Sequence, residues 1–205
     1  ISPGHYAAKG KIRVEKDYSQ AAFWIVAELL RQLNGGDFRQ ILLPGMNPHS
    51  LQGDRVILDI LGVRIEPSGR ITRVREPRSQ ADLTHCPDLF PILSVFYALY
   101  EKGGTITGAD RVSYKESDRY EAMRLELTKL GCRAVREGGK FRIYPGRLKG
   151  NICSAHDDHR VAMALLILSL FVDNVRLDSR ECIGKSYPMF LEDLKKVMAM
   201  NNKKQ

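Results

Sequence analysis

Three stretches of the chain are apolar on almost every side of a helix. They cover about 19–33, 88–100 and 158–171. Surface helices carry a polar face, so a helix that is apolar all round is expected in the protein interior. Each stretch begins near an aspartate, which can cap a helix by accepting hydrogen bonds from its free N–H groups. The pattern predicts three buried helices, capped by Asp17, Asp88 and Asp158.

Helices of a second kind have only one apolar face. Between Glu116 and Leu130 apolar residues follow the helical spacing, and charged residues fill the other face. The apolar positions are Tyr120, Met123, Leu127 and Leu130. Glycine readily adopts the left-handed conformation that ends many helices. Amphipathic helices ending at Gly62 and Gly131 are therefore predicted.

Short alternating segments follow both glycines. Residues 63–66 and 70–73 flank Pro67-Ser68-Gly69, and residues 132–136 and 140–144 flank Glu137-Gly138-Gly139. Alternating segments separated by a few turn-forming residues are typical of β-hairpins. Each amphipathic helix is thus expected to lead into a pair of antiparallel strands.

These features recur along the chain. The three aspartates are spaced 71 and 70 residues apart, and Leu61-Gly62 returns as Leu130-Gly131. The period predicts three units of the order β-α-β-α-β-β, at about 5–76, 77–148 and 149–200, within a single domain over 1–205. The third unit stops after a helix at about 188–200 and lacks its closing strand pair. Its sheet is expected to have an open edge that a segment outside this sequence would cover.

Composition narrows the classes of function. The chain has 205 residues, 43% of them hydrophobic, which suffices for a substantial core. Its net charge of +8 suits anionic small molecules, a membrane surface or nucleic acid. The basic residues are dispersed, whereas nucleic-acid binding usually concentrates them on one face. Charge alone leaves the anionic partner open, with a small molecule favoured over nucleic acid.

The cysteine spacing and the hydropathy of the chain argue against a metal-binding, a redox or a membrane-spanning protein. The four cysteines, at 86, 132, 153 and 182, form no C-x-x-C pair, so reduced structural thiols are expected and no metal site is indicated. The most apolar run, 161–172, is too short for a bilayer span, which takes about 20 residues. The first residues lack the layout of a signal peptide, and the chain starts without methionine, so a piece of a longer cytoplasmic protein is expected.

Candidate chemistry gathers at three predicted helix starts, where free N–H groups and the helix dipole favour anions. The segments are Cys86-Pro87-Asp88, Tyr114 to Arg119 (Tyr-Lys-Glu-Ser-Asp-Arg) and Asp157 to Arg160 (Asp-Asp-His-Arg), with Lys185 as a further cation. In a helix beginning at Glu116, Lys115 and Arg119 would share one face and Glu116 would point about 100° away. Each residue also has a structural interpretation, as a helix cap, a dipole partner or a solvated ion pair. Spacing alone indicates a helix-cored α/β protein with a possible anion site.

The ordered motifs resemble those of one enzyme family. Cys86-Pro-Asp-Leu-Phe-Pro91, Tyr114-Lys-Glu-Ser-Asp-Arg119, Asp158-His-Arg-Val-Ala-Met-Ala164 and Lys185-Ser-Tyr-Pro188 are similar, in this order, to the motif series of 5-enolpyruvylshikimate-3-phosphate (EPSP) synthases. Ser50-Leu-Gln-Gly-Asp54 and Pro3-Gly4 with Val14 to Ser19 agree with it. The resemblance spans essentially the whole chain and covers only the C-terminal lobe of this two-lobe enzyme. It implies an inside-out α/β barrel of the enolpyruvyl transferase type, with buried helices surrounded by sheets.

The resemblance also implies a reaction and residue roles. The enzymes transfer the enolpyruvyl group of phosphoenolpyruvate to the 5-hydroxyl of shikimate-3-phosphate, releasing phosphate, in the shikimate pathway to chorismate and the aromatic amino acids. Asp88 would accept the hydroxyl proton and Glu116 would move the proton at the methylene carbon. Substrate-binding residues would be Asp88, Lys115, Arg119, His159, Arg160 and Lys185. Arg119 and Arg160 would bind the phosphoenolpyruvate carboxylate, with Lys185 near its phosphate. No cofactor and no metal are implied.

Some features depart from the family pattern. Arg111 stands where many members have a small polar residue that contacts shikimate-3-phosphate, and Lys16 replaces a usual glycine. The N-terminal lobe, which supplies further substrate contacts, is absent from this sequence and is the expected partner, in a monomeric parent. The isolated chain is expected to be inactive. Alternatives are a UDP-N-acetylglucosamine enolpyruvyl transferase, which lacks the Lys115 to Arg119 series, and a non-catalytic anion- or nucleic-acid-binding module on the same scaffold.

Overall fold

A computed structural model of the chain describes residues 10–11 and 14–199. This part of the chain contains six α-helices and eight β-strands, joined by loops and 3-10 turns. The helices are α1 (Tyr18–Asn34), α2 (Ile57–Leu61), α3 (Phe90–Leu99), α4 (Arg119–Lys129), α5 (His159–Leu168) and α6 (Phe190–Met198). The strands are β1 (Val63–Ile65), β2 (Ile71–Arg73), β3 (Gln80–Asp82), β4 (Gly104–Thr107), β5 (Arg133–Glu137), β6 (Lys140–Tyr144), β7 (Ile152–Cys153) and β8 (Arg176–Leu177).

Helices α1, α3 and α5 form the centre of the molecule, as the apolar pattern predicted. Each of the three packs against the other two. Every residue of α3 from Phe90 to Ala98 is buried, and in α5 only Arg160 is partly exposed. Burying a large aliphatic or aromatic side chain contributes about 1.5–3 kcal/mol, so these helices supply much of the folding free energy.

Two of the three predicted aspartate caps are confirmed. The Asp17 carboxylate accepts a hydrogen bond from the Ser19 N–H at the start of α1. Asp158 accepts hydrogen bonds from the N–H groups of Arg160 and Val161 at the start of α5. Both caps satisfy N–H groups that the helix itself leaves free.

The predicted cap at Asp88 is wrong. Asp88 lies inside a 3-10 turn, Pro87–Leu89, that leads into α3, and its carboxylate makes no capping hydrogen bond. The turn moves the true start of α3 to Phe90, with Pro91 in the first turn, where a missing N–H is tolerated. The Asp88 side chain is therefore free to bind side chains from other elements.

The strands repeat one pairing scheme. In the middle of the chain β3 pairs parallel with β4, β4 pairs antiparallel with β6, and β6 forms a hairpin with β5. Upstream, β1 and β2 form the other predicted hairpin, and Leu42 bridges Arg70 much as β4 meets β6. Downstream, β7 pairs parallel with β8, and no other described strand pairs with β8. The start of the first unit falls partly on residues 1–9 and 12–13, outside the described residues, and the unit boundaries stay a prediction.

The amphipathic helix α4 is shorter than its sequence pattern indicated. It starts at Arg119 with Asp118 as its cap, three residues after the predicted start at Glu116. The predicted stripe is buried, with Tyr120 at 2% exposure and Met123, Leu127 and Leu130 at 0%. Lys115 and Glu116 precede the helix. The prediction that Lys115 and Arg119 share one helix face is therefore wrong. The loop before α4 instead sets the directions of these side chains.

Both predicted glycine termini are confirmed. Gly62 caps α2 in the left-handed conformation, and Gly131 follows α4 with φ of 91°. The later hairpin is tighter than expected, because Glu137 pairs with Lys140 and only Gly138-Gly139 forms the turn. All four cysteines are buried free thiols. Burial, with the charges of Asp54 and Asp82, raises the pKa of Cys86 to about 12, which keeps this thiol protonated at neutral pH.

Gly62→Ala is expected to destabilise the protein by about 3 kcal/mol, because left-handed strain and overpacking add. A Cβ at Gly62 would lie 2.5 Å from the backbone oxygen of Arg75. Gly131→Ala is the matched control, since the nearest atom to its added Cβ, the Arg147 oxygen, would lie 3.4 Å away. Only the strain, roughly 1 kcal/mol, is expected there. Urea unfolding of both variants measures the difference, and equal losses would contradict this account.

Candidate active site

The predicted site residues meet where three helices begin. Asp88 lies in the turn before α3, Arg119 is the first residue of α4, and His159 and Arg160 open α5. Lys115 and Glu116 occupy the loop that precedes α4. Because α3, α4 and α5 pack against one another with these ends together, residues far apart in sequence form one cluster of charges.

Arg119 is the hub of this cluster. Its side chain is only 1% exposed and contacts three carboxylates. Nε donates to Asp158 at 2.7 Å, Nη1 to Asp88 at 2.8 Å and Nη2 to Glu116 at 2.7 Å. The Ser117 hydroxyl adds a hydrogen bond of 3.1 Å to Asp158. A guanidinium with five N–H donors suits this role, and a buried arginine requires such partners.

Asp88 is held by three cations from two other segments of the chain. Besides Arg119, Lys115 Nζ lies 3.4 Å from Oδ1 and Arg160 Nη2 lies 3.2 Å from Oδ2. Burial favours the neutral acid, but Arg160, Arg119 and Lys115 together outweigh it and lower the pKa of Asp88. Asp88 is consequently a carboxylate at neutral pH, and it is exposed enough for a ligand to reach.

Glu116 and His159 form the neighbouring part of the site. The Glu116 side chain is 44% exposed, and its Oε1 lies 3.9 Å from His159 Nδ1. Burial and the adjacent charge of Arg160 lower the pKa of His159, so the imidazole is neutral at pH 7. A solvent-reachable carboxylate beside a neutral imidazole can exchange protons with a bound molecule.

Lys185 stands slightly apart from the cluster. Its Nζ contacts both oxygens of Asp157 at 3.1 and 3.3 Å, and both side chains are largely exposed. Asp157 directly precedes the buried Asp158, so Lys185 borders the cluster without touching Asp88 or Glu116. The structure thus joins six of the seven predicted residues directly and places the seventh beside them.

Two buried carboxylates, Asp158 and Asp54, support the site in ways that the sequence did not indicate. Asp158, predicted as a helix cap within the candidate segment Asp157 to Arg160, is fully buried and is also the main counter-ion of Arg119. Asp54 is buried beneath the site and accepts a hydrogen bond from the Ser19 hydroxyl. Burial raises the pKa of Asp54, and the charge of Asp88 adds to the effect. A role for Asp158 beyond capping could be inferred only once the burial of Arg119 was known.

The two residues that depart from the family pattern have ordinary surroundings. Arg111 lies in the 3-10 turn Asp110–Tyr114 and is exposed. Lys16 donates a hydrogen bond of 2.6 Å to the Pro44 carbonyl. Across the described ranges, no three His, Cys, Asp or Glu residues are grouped to hold a metal ion. Nor does this part of the chain contain a helix long and apolar enough to cross a membrane.

Solved structures identify the class of fold. EPSP synthase from Acinetobacter baumannii superposes with a TM-score of 0.68 at 22% sequence identity, over 89% of this chain and 45% of that chain. The enolpyruvyl transferase NikO from Streptomyces tendae superposes with a TM-score of 0.61 at 22% identity, over 91% of this chain and 44% of that chain. At this identity the likeness shows the fold alone. It is the inside-out α/β fold of the enolpyruvyl transferases, which confirms the predicted fold class.

Sequence comparison identifies the family within that class. The family model of EPSP synthase (3-phosphoshikimate 1-carboxyvinyltransferase) matches residues 1–194. A Clostridium acetobutylicum relative named 3-phosphoshikimate 1-carboxyvinyltransferase is 43% identical over 201 residues, covering 95% of this chain and 45% of the relative. The chain therefore belongs to the EPSP synthase family. It spans about half the length of the curated relatives it matches, as expected for the C-terminal lobe.

Proposed function

We propose that this chain supplies one half of the active site that transfers the enolpyruvyl group of phosphoenolpyruvate to the 5-hydroxyl of shikimate-3-phosphate. The observation that carries the proposal is the contact of Asp88 with Lys115, Arg119 and Arg160. Both substrates are anionic, and cations held at helix starts favour such ligands. The remaining contacts would come from the N-terminal lobe of a monomeric, cytoplasmic enzyme.

Each side chain has a role that fits its surroundings. Asp88 accepts the proton of the 5-hydroxyl as that oxygen adds to C2 of phosphoenolpyruvate. Glu116, in its protonated form, delivers a proton to C3 in the addition and recovers one from C3 when phosphate leaves, while Asp88 passes its proton to the departing phosphate, so both carboxyl groups end as they began. The exposure of Glu116 leaves it within reach of a bound substrate, and its contact with Arg119 fixes its position. Lys115 binds shikimate-3-phosphate.

Arg119, Arg160 and Lys185 offset the negative charge of the two substrates. Arg160 binds the phosphoenolpyruvate carboxylate together with Arg119, and Lys185 lies near the phosphate that departs. Their positive charge stabilises the anionic reactants and the tetrahedral intermediate. His159, neutral because of its burial, supports Glu116. In the structure these cations contact carboxylates of the chain itself, so substrate binding exchanges one set of anionic partners for another.

The activity can be tested by restoring the missing half. This chain joined to the N-terminal lobe of the Clostridium acetobutylicum relative is expected to release phosphate only when both phosphoenolpyruvate and shikimate-3-phosphate are present. The chain by itself is expected to release none, because half of the substrate contacts are absent. A folded joined protein that releases no phosphate with both substrates would refute the proposed function.

A further inference from the structure

The loop that leads into α5 has an unusual backbone. His156 and Asp157 have φ values of 52° and 51°, in the left-handed region. Residues other than glycine rarely adopt this conformation, and it persists only where the surroundings hold it. Asp157 carries the contact to Lys185, and the next residue, Asp158, bonds Arg119. The geometry of this loop therefore sets the positions of two parts of the site.

A fully buried carboxylate holds the loop from the α4 side. Glu126 lies two turns after Arg119 on α4 and is 0% exposed. Its Oε2 accepts a hydrogen bond of 3.1 Å from the Ser154 N–H, and its Oε1 lies 2.7 Å from His156 Nε2. Buried carboxylates are rare without such partners. Here two of the partners belong to the strained loop.

The loop has a second anchor on its other side. Asp178, just after β8, accepts a hydrogen bond of 2.9 Å from the Ala155 N–H. Within the loop, the Ser154 hydroxyl accepts a bond from the His156 N–H, and the Ala155 carbonyl accepts one from the Asp158 N–H. Glu126 supplies the hydrogen bonds that join residues 154–156 to the helix that begins with Arg119. It joins the Arg119 part of the site to the Lys185 part.

We propose that Glu126 and His156 are a positioning pair, which holds residues 154–157 so that Lys185 and the start of α5 face the phosphoenolpyruvate subsite. Neither residue touches substrate. Releasing the pair would let the left-handed residues relax and would shift Asp157 and Lys185, together with the first turn of α5. Small displacements of binding groups weaken binding strongly, so support of this kind affects affinity. The kinetic part of this inference rests on the proposed function.

His156→Asn is the most informative variant. Asparagine tolerates the left-handed conformation but is too short to keep the Glu126 contact, so the side-chain pair is removed with little change in backbone preference. In the joined protein the KM for phosphoenolpyruvate is expected to rise about tenfold, with kcat and the KM for shikimate-3-phosphate within about twofold. Glu126→Gln is expected to act in the same direction, because an amide cannot serve both loop donors as a carboxylate does.

Lys129→Met is the matched control. Lys129 also bonds Glu126, at 2.9 and 3.0 Å, but from the exposed side of the same helix and without touching the loop. Wild-type KM values are expected for this variant. Wild-type KM for phosphoenolpyruvate in both His156→Asn and Glu126→Gln would overturn the proposal. An equal rise in both KM values with a lowered Tm would also overturn it, since that pattern indicates general destabilisation.

A second measurement is independent of turnover. Amide hydrogen exchange of residues 154–158 in the joined protein is expected to be faster in His156→Asn and Glu126→Gln than in Lys129→Met. Unchanged exchange in both loop variants would overturn the positioning role, whatever the kinetics. If the unsubstituted joined protein releases no phosphate while exchange responds as expected, the proposed function fails and the positioning of the loop stands.

Discussion

Asp158→Ala is expected to lower the free energy of unfolding by about 3–5 kcal/mol, because it leaves the buried charge of Arg119 without its main partner. Asp158 is fully buried and Arg119 is 1% exposed, so water cannot replace the lost carboxylate. The substitution also removes the cap of α5. Urea unfolding followed by circular dichroism measures the loss, which should be among the largest for any aspartate in the described chain.

Asp17→Ala is the matched control for this effect. Asp17 caps the buried helix α1 as Asp158 caps α5, but the described contacts pair it with no buried arginine. Loss of a cap alone costs typically about 1 kcal/mol. The difference between the two variants isolates the buried ion pair from the capping role. If both substitutions destabilise the protein equally, Asp158 is only a helix cap and Arg119 is neutralised adequately by Asp88 and Glu116.

Asp88→Asn is expected to reduce kcat of the joined protein by about 10²–10⁴-fold, the range lost when a general base is removed. The amide keeps the size of the side chain and an oxygen to accept from Arg119, but it cannot take the hydroxyl proton. The Asp88 side chain is 30% exposed, so the fold should tolerate the change. Initial rates of phosphate release at saturating substrates measure kcat. Circular dichroism of the variant checks that the fold is retained.

The lowered pKa of Asp88 is compatible with its proposed role as a base. Three cations lower that pKa in the structure, which would make the carboxylate a weak proton acceptor. Anionic substrates bound at Arg160 and Lys115 would place negative charge beside Asp88 and offset those cations. Its proton affinity would then rise once the substrates are bound.

Asp110→Asn is the control for Asp88→Asn. Asp110 is a largely exposed aspartate in the turn before Lys115, with Arg136 as its ion-pair partner at 3.7 Å. It should retain kcat within about twofold, since exposed ion pairs contribute little. If Asp88→Asn releases phosphate as fast as Asp110→Asn, Asp88 is not the base of the catalytic step. The family membership of the chain would be unaffected.

Local patterns were sufficient to predict the secondary structure in most places. The all-round apolar helices, both hairpins and the glycine termini follow from periodicity and turn chemistry that act over a few residues. The errors occurred where a tertiary contact outweighs local preference. Asp88 follows a favoured capping pattern, yet binding to Arg119 and Arg160 occupies its carboxylate. Glu116 and Lys115 resemble a first helical turn, yet they form a loop that aims them at the site.

The candidate site was predictable as a set of residues and not as an arrangement. The motif order named the residues, and the predicted helix starts indicated an anion-binding position. Nothing in the motifs revealed that Arg119 is buried among three carboxylates or that Lys185 pairs with Asp157. In the sequence Glu126 is one charged position among several on an amphipathic helix, although it is fully buried in the structure. Burial of a charged residue depends on which elements pack over it, and no local pattern records that.

The amino-acid sequence by itself thus determined the predicted repeat, the buried central helices and which residues belong to the ordered motifs. These features depend on hydrophobic spacing and on short segments of the chain. The tertiary structure decided which charges meet. Asp88 and Arg119 come from the second predicted unit and Asp158 from the third, and they become neighbours only when α3, α4 and α5 bring their starts together. Ion pairing depends on distance and on exclusion of water, and both are properties of the packed molecule.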